Sequence, residues 1–304
     1  MQPTDKDCAP RLLVDLNSML NAALLGGKDP DAEVLIQDGK PITVNSAQYG
    51  VDRFFERFAG VLQELGTAPR DVIGVWDGDK AKAVRQALLP AYKASTKSDP
   101  VYEQINIARP IISKMLRDLG AHTVSCDTCE ADDVIGYLAA HLRTRKNVVV
   151  TGDGDLSVLV DDNTHVMRLD NSGRGKGDQM DENPFGPFPH KFITIYKALV
   201  GDTSDKIPGA KGFGDAAFVK LVANFGVEGL EMMGELISNG KLATLSEDVG
   251  EMKELQRIID SAEQVTLSWK CAKLMPERVN TLRHPLNWVA GFVRLWDELE
   301  EGQR

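Results

Sequence analysis

The sequence has few cysteines and no long apolar run, and each absence excludes a class of protein. Four cysteines in 304 residues exclude a disulfide scaffold and favour a reducing cytoplasm. No apolar run approaches the ~18 residues that a membrane span needs. The polar N-terminus "MQPTDKDCAP" also lacks the apolar core of a signal peptide. We therefore expect a cytoplasmic protein that does not interact with a membrane.

An excess of positive charge is also missing. The formal net charge is −10, which at first sight argues against a nucleic acid as partner. That argument is weak, because acids committed to a divalent cation do not face a ligand as free negative charge. The placement of the charges, rather than their sum, must therefore decide the question.

Strand and helix patterns alternate in the first part of the chain and predict an α/β fold. Apolar runs predict strands at 11–16, 71–77, 122–126, 147–153 and 164–169. Helical patterns between them include an i, i+3, i+4, i+7 stripe from Val51 to Leu65 and stretches at about 105–119 and 130–143. This alternation predicts a mainly parallel, twisted sheet that is covered by helices on both faces.

Changes in composition predict three parts of the chain. We expect an α/β core at 1–191, interrupted by a basic, Pro-containing excursion at about 80–104. A Gly- and Pro-rich stretch at 171–189 is predicted to be a mobile surface loop. A helical subdomain is expected at 192–275, and a last helix within 276–304 is expected to pack on the core.

Acidic residues stand at the ends of three predicted strands. Asp15 ends the first, Asp77 ends the second, and Asp153 and Asp155 end the fourth. Ligands of parallel α/β sheets bind outside the carboxyl ends of the strands. Residues two apart in an extended chain point the same way, so we expect Asp153 and Asp155 to face one point.

Three more acids stand at the start of a predicted helix. Glu130 and Asp133, three residues apart, are expected to share one helix face, with Asp132 offset near the first turn. Carboxylates that converge from four segments without basic partners suit hard divalent cations, Mg²⁺ or Mn²⁺. Two such ions roughly 4 Å apart can bind a phosphodiester, one activating water and the other stabilising the leaving oxygen.

These acidic and cysteine motifs also allow other interpretations. A single Asp at a strand end is more often a helix cap or turn residue. The segment "DGDLS" from Asp153 resembles the DxDx[TV] motif of haloacid-dehalogenase phosphatases, but that family places it after the first strand. An EF-hand fails because its twelfth position would be Thr164 rather than Glu. Cys126 and Cys129 form a CxxC, which we interpret as buried thiols.

A second motif is "YKALVGDTSDKIPGAKGFGDAA", which begins at residue 196. It adds Asp202 and Asp205 and a Gly-x-Gly hairpin, Gly212 and Gly214, preceded by Lys211. Glycines allow a close approach to a sugar–phosphate backbone, and the next helix offers free N–H groups to a phosphate. We expect this hairpin to bind duplex DNA without reading its sequence.

These stretches together resemble the 5′-nucleases: flap endonucleases, the 5′-nuclease domain of bacterial DNA polymerase I, and stand-alone bacteriophage 5′–3′ exonucleases. The matching segments occur in the family's order over about 11–226: "LLVDLNSML", "WDGDKAKAVRQALLPAYK", "EADDVIGYLA", "TGDGDLSVL" and "LVGDTSDKIPGAKGFGDAA". The resemblance implies a PIN-like core, a helical arch and a helix-hairpin-helix subdomain. The size is most like a phage exonuclease, which implies the host-cell cytoplasm.

The resemblance also implies two Mg²⁺ ions, for which Mn²⁺ would substitute. Nine residues match the family's metal-binding acids: Asp15, Asp77, Glu130, Asp132, Asp133, Asp153, Asp155, Asp202 and Asp205. Nine exceed the inner shells of two Mg²⁺ ions, which retain waters, so some must act through water. Removing nine negative charges from −10 leaves −1, so the acidity is concentrated at the site.

The basic excursion corresponds to the family's helical arch, under which the 5′ strand passes. Arg85, Tyr92 and Lys93 fit the family pattern, and with Asp153 and Asp155 they form the predicted catalytic set. Lys93 would stabilise charge on the scissile phosphate, and Tyr92 would stack on a terminal base. The alternative is a solvated amphipathic face.

The arch departs from the family pattern at one position. The family often has Arg three residues after this Lys, where this chain has Thr96 followed by Lys97. Either Lys97 replaces that Arg as a DNA-binding residue or the transition state is clamped more weakly.

The predicted function is that of a metal-dependent 5′–3′ exonuclease and flap endonuclease that leaves 5′-phosphates. A monomer is expected to bind duplex DNA with a 5′ end, nick or flap, and to accept the RNA strand of RNA–DNA hybrids. The Gly212–Gly214 turn is compatible with a K⁺ ion, which relatives often hold there. Two alternatives are an inactive DNA-binding scaffold, whose signature of missing acids is not seen, and a Mg²⁺-dependent DxD phosphatase.

Overall fold

The structure, a computed structural model, describes residues 9–25, 28–37, 40–94, 100–170, 177–247 and 252–279. Contacts group the chain into two compact units. The first unit takes the described residues of 1–79, 96–182 and 275–304, and the second takes those of 80–95 and 183–274. Val279 is the last described residue, so nearly all of the helix predicted within 276–304 lies outside the described residues. Thr96 and Lys97 lie outside them as well.

Strands and helices alternate along the first unit. The strands are β1 (Arg11–Asp15), β2 (Glu33–Gln37), β3 (Lys40–Val44), β4 (Val72–Trp76), β5 (His122–Ser125), β6 (Asn147–Thr151), β7 (Thr164–Arg168), β8 (Gln179–Met180), β9 (Gly201–Asp202) and β10 (Ile207–Pro208), the last two in the second unit. The helices of the first unit are α1 (Leu16–Leu24), α2 (Ala47–Glu64), α4 (Pro100–Asp118) and α5 (Ala131–His141). Those of the second unit are α3 (Ala83–Leu88), α6 (Ile193–Val200), α7 (Asp215–Ser238), α8 (Lys253–Asp260) and α9 (Ala262–Ala272).

A six-stranded sheet with the order β5-β4-β1-β6-β7-β8 is the centre of the first unit. Every pair except β7–β8 is parallel, which confirms the predicted mainly parallel sheet. All residues of β1, β4 and β6 are buried, because helices cover both faces of such a sheet, and the middle of each strand is accordingly apolar.

The helices form layers on this sheet. On one side, α1, α2 and α4 pack on one another, and Phe54, Phe58 and Leu116 belong to the buried cluster there. Helix α5 packs against β1 and β4. The predicted helices near 51–65, 105–119 and 130–143 are confirmed as α2, α4 and α5.

Helix α1 and the hairpin of β2 and β3 in the first unit were not predicted. Helix α1 follows β1 without a loop, because Asp15 caps its start by accepting a hydrogen bond from the Ser18 N–H at 2.9 Å. The strands β2 and β3 form an antiparallel hairpin, on which Val34 and Ile36 are each 68% exposed. The three consecutive apolar residues from Val34 to Ile36 do not alternate with polar ones, so β2 has no strand pattern of period two.

The second unit is mainly helical, but the expectation of helices alone after about 192 was wrong. Strands β9 and β10 form a short antiparallel pair in the segment that carries Asp202. Helix α7 contains a break at Gly226, whose φ is +61°. The predicted loop at 171–189 contains β8, and its residues 171–176 lie outside the described residues.

The basic excursion at 80–104 divides between the units. Its first part, with α3, belongs to the second unit, and its end is the first turn of α4 in the first unit. Among the described residues, no helix is both long enough and apolar enough to cross a bilayer.

Candidate active site

Asp15 occupies the carboxyl end of β1 and is only 5% exposed. Its Oδ1 accepts the hydrogen bond from Ser18 N that caps α1, and its Oδ2 accepts from the Thr151 Oγ1 hydroxyl at 3.0 Å. Thr151 is the last residue of β6, the neighbouring parallel strand. The side chain of Asp15 is therefore held between the ends of two strands.

Asp77 follows directly after β4, the other neighbour of β1. Its Oδ1 accepts a hydrogen bond from Ala131 N, the first residue of α5, at 2.7 Å. The next residue, Gly78, donates from its N–H to the Cys129 carbonyl at 3.0 Å. A Cβ at Gly78 would lie 2.0 Å from the Cys126 carbonyl oxygen, so a side chain at this position would push the two loops apart.

Asp153 follows β6 in a turn. Gly152 N donates to Ser18 Oγ at 2.8 Å, and Asp153 N donates to Thr151 Oγ1 at 3.0 Å. Oδ1 of Asp153 accepts from Asp155 N at 2.9 Å, and Asp155 begins a short 3-10 helix. The expected extended chain is absent here, because β6 ends at Thr151 and a 3-10 helix begins at Asp155; that Asp153 and Asp155 face one point stays a prediction.

The carboxylates at the three strand ends interact electrostatically. Burial raises the pKa of Asp15, and the neighbouring charges of Asp77 and Asp153 raise it further, while hydrogen bonds from Ser18 and Thr151 lower it; the resulting pKa is about 7. Two like charges close to a buried carboxyl raise its pKa in this way. Asp77 and Asp153 thus lie close enough to Asp15 for their charges to act on it, and the convergence of acids from all four segments stays a prediction.

The acids at the start of α5 have differing surroundings. Glu130 is buried and directly precedes the helix. The side chains of Glu130 and Asp133 each accept a hydrogen bond from the main-chain N–H of the other residue, so the two acids lie together at the helix start. Asp133 is 1% exposed. Its Oδ1 accepts from Met275 N at 2.7 Å, and its Oδ2 accepts from Glu130 N at 3.4 Å. Asp133 thus binds main-chain groups, and Asp132 is half-buried.

In the second unit, Asp202 is bound through both oxygens. Its Oδ1 accepts from Ser204 N at 2.8 Å and from Asp205 N at 3.1 Å, and its Oδ2 pairs with the ammonium group of Lys197. Burial by itself raises the pKa of Asp202, but the charge of Lys197 and the hydrogen bonds from Lys197, the Ser204 hydroxyl and Asp205 N lower it to about 2. Lys197 is itself 3% exposed.

Asp205 is close to Lys93, the predicted phosphate-binding residue. Nζ of Lys93 lies 3.6 Å from Oδ2 of Asp205, and the Lys93 N–H donates to the Asp205 carbonyl at 3.1 Å. Lys93 has a φ of +40°, an uncommon conformation for a residue with a side chain. Its ammonium also lies 5.3 Å from the centre of the Tyr92 ring.

Arg85 and Tyr92 are buried rather than exposed on an arch. The Arg85 guanidinium donates from Nε to the Cys271 carbonyl at 2.9 Å and from Nη2 to the Lys273 carbonyl at 3.0 Å. Tyr92 is 2% exposed and packs with Ile207 and Cys271. A base could stack on this ring only after these contacts open, so the structure does not support the predicted stacking.

The predicted DNA-binding hairpin is exposed at Lys211, Gly212 and Gly214. Gly212 has a φ of +71°, which favours glycine, and Gly214 precedes α7. Arg257 on α8 belongs to none of the sequence motifs, and its Nε would lie 3.9 Å from a Cβ at Gly212. Arg257 comes near the hairpin only through the packing of helices distant in sequence.

Comparisons with known proteins agree with this geometry. Residues 11–185 match the family model described as the 5′-3′ exonuclease N-terminal resolvase-like domain. The flap endonuclease Xni of Shewanella amazonensis is 28% identical over 232 residues, which cover 75% of this chain and 84% of that protein. A 5′-3′ exonuclease of Buchnera aphidicola is 28% identical over 225 residues, covering 67% of this chain and 76% of that one.

A solved structure is similar over nearly the whole chain. The bacteriophage T5 D15 flap endonuclease, in a complex with DNA and metal ions, has a TM-score of 0.61 at 15% identity. The match covers 97% of this chain and 100% of that one. At this identity the likeness shows a shared fold.

Proposed function

The chain belongs to the 5′-3′ exonuclease family and is a nuclease, and we propose that it is a Mg²⁺-dependent 5′–3′ exonuclease and flap endonuclease. Its substrate is duplex DNA with a 5′ end, nick or flap, and hydrolysis leaves a 5′-phosphate. The observation that carries the proposal is the placement of Asp15, Asp77 and Asp153 at the ends of three neighbouring parallel strands, where the main chain and Thr151 hold the carboxylates of Asp15 and Asp77.

The donor set fits a hard divalent cation. Carboxylate oxygens are the preferred protein ligands of Mg²⁺ and Mn²⁺. Asp15, Asp77 and Asp153 would hold the first ion, because a cation would offset the repulsion that the charges of Asp77 and Asp153 exert on Asp15. Asp155, Glu130 and Asp132 are the proposed further ligands, some through water. When bound, two such ions supply an activated water and stabilise the leaving oxygen.

The protein's own contribution is to fix these carboxylates before substrate arrives. Ser18 and Thr151 orient the two oxygens of Asp15, and Ala131 N orients Asp77. Since these donors belong to a sheet and to helix starts, the ligands need little reorganisation. The main-chain contacts of Asp133 suggest that it supports the site rather than binding an ion directly.

The second unit is proposed to bind DNA. Lys211, Gly212 and Gly214 would approach the duplex backbone, with a K⁺ ion at the same turn, and Lys93 would contact the scissile phosphate. These contacts are to phosphates and not to bases. Because RNA and DNA strands carry the same phosphates, RNA–DNA hybrids should also be bound. Asp202 and Asp205 remain predicted metal ligands. We also expect the protein to be a cytoplasmic monomer.

Cleavage of 5′-labelled blunt, nicked and flapped duplexes, with Mg²⁺ and with a chelator, tests the function. Asp153→Asn should abolish cleavage and leave DNA binding largely intact. A variant that cuts at the wild-type rate would contradict the assignment of the metal site. Release of phosphate from a small ester, without cleavage of the duplexes, would instead favour the DxD phosphatase.

A further inference from the structure

We propose that Arg109 on α4 is a positioning residue that fixes Asp77 for metal binding. This inference rests on the proposed function, because it requires Asp77 to be a metal ligand. Arg109 lies outside the motifs that resemble the 5′-nucleases. It is half-buried in the middle of a helix whose sequence shows only an amphipathic pattern.

The guanidinium of Arg109 makes two contacts at the end of β4. Its Nη2 donates a hydrogen bond to the main-chain carbonyl of Asp77 at 2.9 Å. Its Cζ lies 5.2 Å from the centre of the Trp76 ring, which is a cation–π contact. A planar guanidinium can make both contacts at once, whereas a lysine ammonium provides only a point charge.

Ser113, one helical turn further along α4, strengthens this attachment. The Trp76 indole Nε1–H donates to Ser113 Oγ at 3.0 Å, and Trp76 is buried. Two successive turns of α4 therefore hold the last residue of β4 and the carbonyl that follows it. A helix that only packed on the sheet would need neither polar contact.

Asp77 is consequently fixed from two sides. Arg109 of α4 holds its main chain, and Ala131 N of α5 holds its side chain at 2.7 Å. If the main-chain contact is lost, the carboxylate can still accept from α5, but its position relative to Asp15 is less restricted. Groups that orient metal ligands in this way typically change metal affinity 10–100-fold.

The test measures Mn²⁺ binding by calorimetry on the full chain without DNA, together with the Tm of the metal-free protein. Arg109→Gln removes the positive charge and the planar guanidinium group that contacts the Trp76 ring. We expect the Kd of this variant for Mn²⁺ to rise about tenfold. Arg109→Lys should recover part of the affinity, because it keeps the charge. Arg117→Gln, on the same helix, is the matched control and should not change the Kd.

Cleavage kinetics give a second measurement. The loss of kcat/KM in Arg109→Gln at low Mg²⁺ should shrink as Mg²⁺ is raised, since a weaker site can still be filled. A loss of kcat that is independent of Mg²⁺, with an unchanged Mn²⁺ Kd, would overturn the inference. If Arg109→Gln does not fold, an Arg109→Lys variant with wild-type Tm and wild-type Kd would overturn it as well.

Asp77→Asn separates failure of this inference from failure of the proposed function. An unchanged Mn²⁺ Kd in Asp77→Asn would show that Asp77 is no ligand, which contradicts the proposed function itself. A weakened Kd in Asp77→Asn together with a wild-type Kd in Arg109→Gln would leave the function standing and refute only the positioning role.

Discussion

The hydroxyl of Thr151 at the end of β6 lies 3.0 Å from Oδ2 of Asp15 at the end of β1. The same Oγ1 accepts a hydrogen bond from Asp153 N at 3.0 Å. One buried hydroxyl group thus connects two of the proposed metal ligands, which are far apart in sequence. It donates to one ligand and accepts from the main chain of the other.

Replacing this hydroxyl should impair metal binding more than stability. Thr151→Val keeps the shape of the side chain but removes both hydrogen bonds, so we expect the Mn²⁺ Kd to rise about tenfold. Thr123→Val is the matched control, because Thr123 is also buried in the sheet and its hydroxyl has no partner among the described residues. An equal change of Kd in both variants would contradict this role of Thr151.

The stability of the metal-free protein should fall as the pH rises toward neutrality. The pKa of Asp15 is raised from 3.8 to about 7, so the folded state binds a proton there more tightly than the unfolded state. The contribution is complete below about pH 4 and is lost as the pH approaches 7. Mg²⁺ would bind the ionised carboxylate and compete with this proton. It should therefore raise the Tm more at about pH 8 than at about pH 5.5.

Asp15→Asn provides the control for this pH dependence. The neutral amide has no proton to lose, so the fall in Tm between the two pH values should be smaller in the metal-free variant. An identical pH dependence of Tm in the wild type and Asp15→Asn would show that Asp15 does not titrate in this range.

Loss of the buried cation beside Asp202 should destabilise the fold. Lys197→Met leaves the Asp202 charge buried without its partner, and breaking such a pair typically costs about 3–5 kcal/mol. Urea unfolding would measure this loss. Lys191→Met is the matched control, because the Lys191–Glu231 pair is exposed and should contribute less than about 1 kcal/mol.

The double variant Lys197→Met with Asp202→Asn tests the cause. Removing the unpaired charge should restore part of the stability, since an amide is less costly to bury than a carboxylate. If the double variant is no more stable than Lys197→Met, lost packing rather than the charge accounts for the effect.

Substitutions at Tyr92 distinguish a packing role from base stacking. Tyr92→Ala should lower the free energy of unfolding by about 3–5 kcal/mol, as expected for a large buried aromatic residue, whereas Tyr92→Phe should cost much less. A Tyr92→Ala variant with wild-type stability and a raised KM for flap DNA would instead support stacking of a base on the ring.

Gly78 should be intolerant of any side chain. A Cβ there would lie 2.0 Å from the Cys126 carbonyl, so Gly78→Ala must shift the loop that carries Asp77, and we expect cleavage activity to fall at least tenfold. Gly60→Ala is the control, because a Cβ at Gly60 meets nothing within 4 Å and should stabilise α2 by about 0.5–1 kcal/mol. Wild-type activity in Gly78→Ala would contradict the close approach of the two loops.

The sequence by itself determined the parallel sheet and the acids at its edge. Apolar runs and the turn residues that end them are local patterns, and the carboxyl ends of parallel strands must meet at one edge. The sequence alone therefore assigns Asp15, Asp77 and Asp153 to one edge of the sheet. The order of the motifs over 11–226 likewise identified the family.

Only the tertiary structure decided which partners hold these acids. Thr151 with Asp15, Arg109 with Asp77, and Met275 with Asp133 are contacts between distant parts of the chain. The burial of Arg85 and Tyr92 also depends on residues near 271. Local periodicity carries no information on such pairs, because a hydrogen bond between distant residues is set by how helices and strands pack and not by the spacing of either residue within its own element.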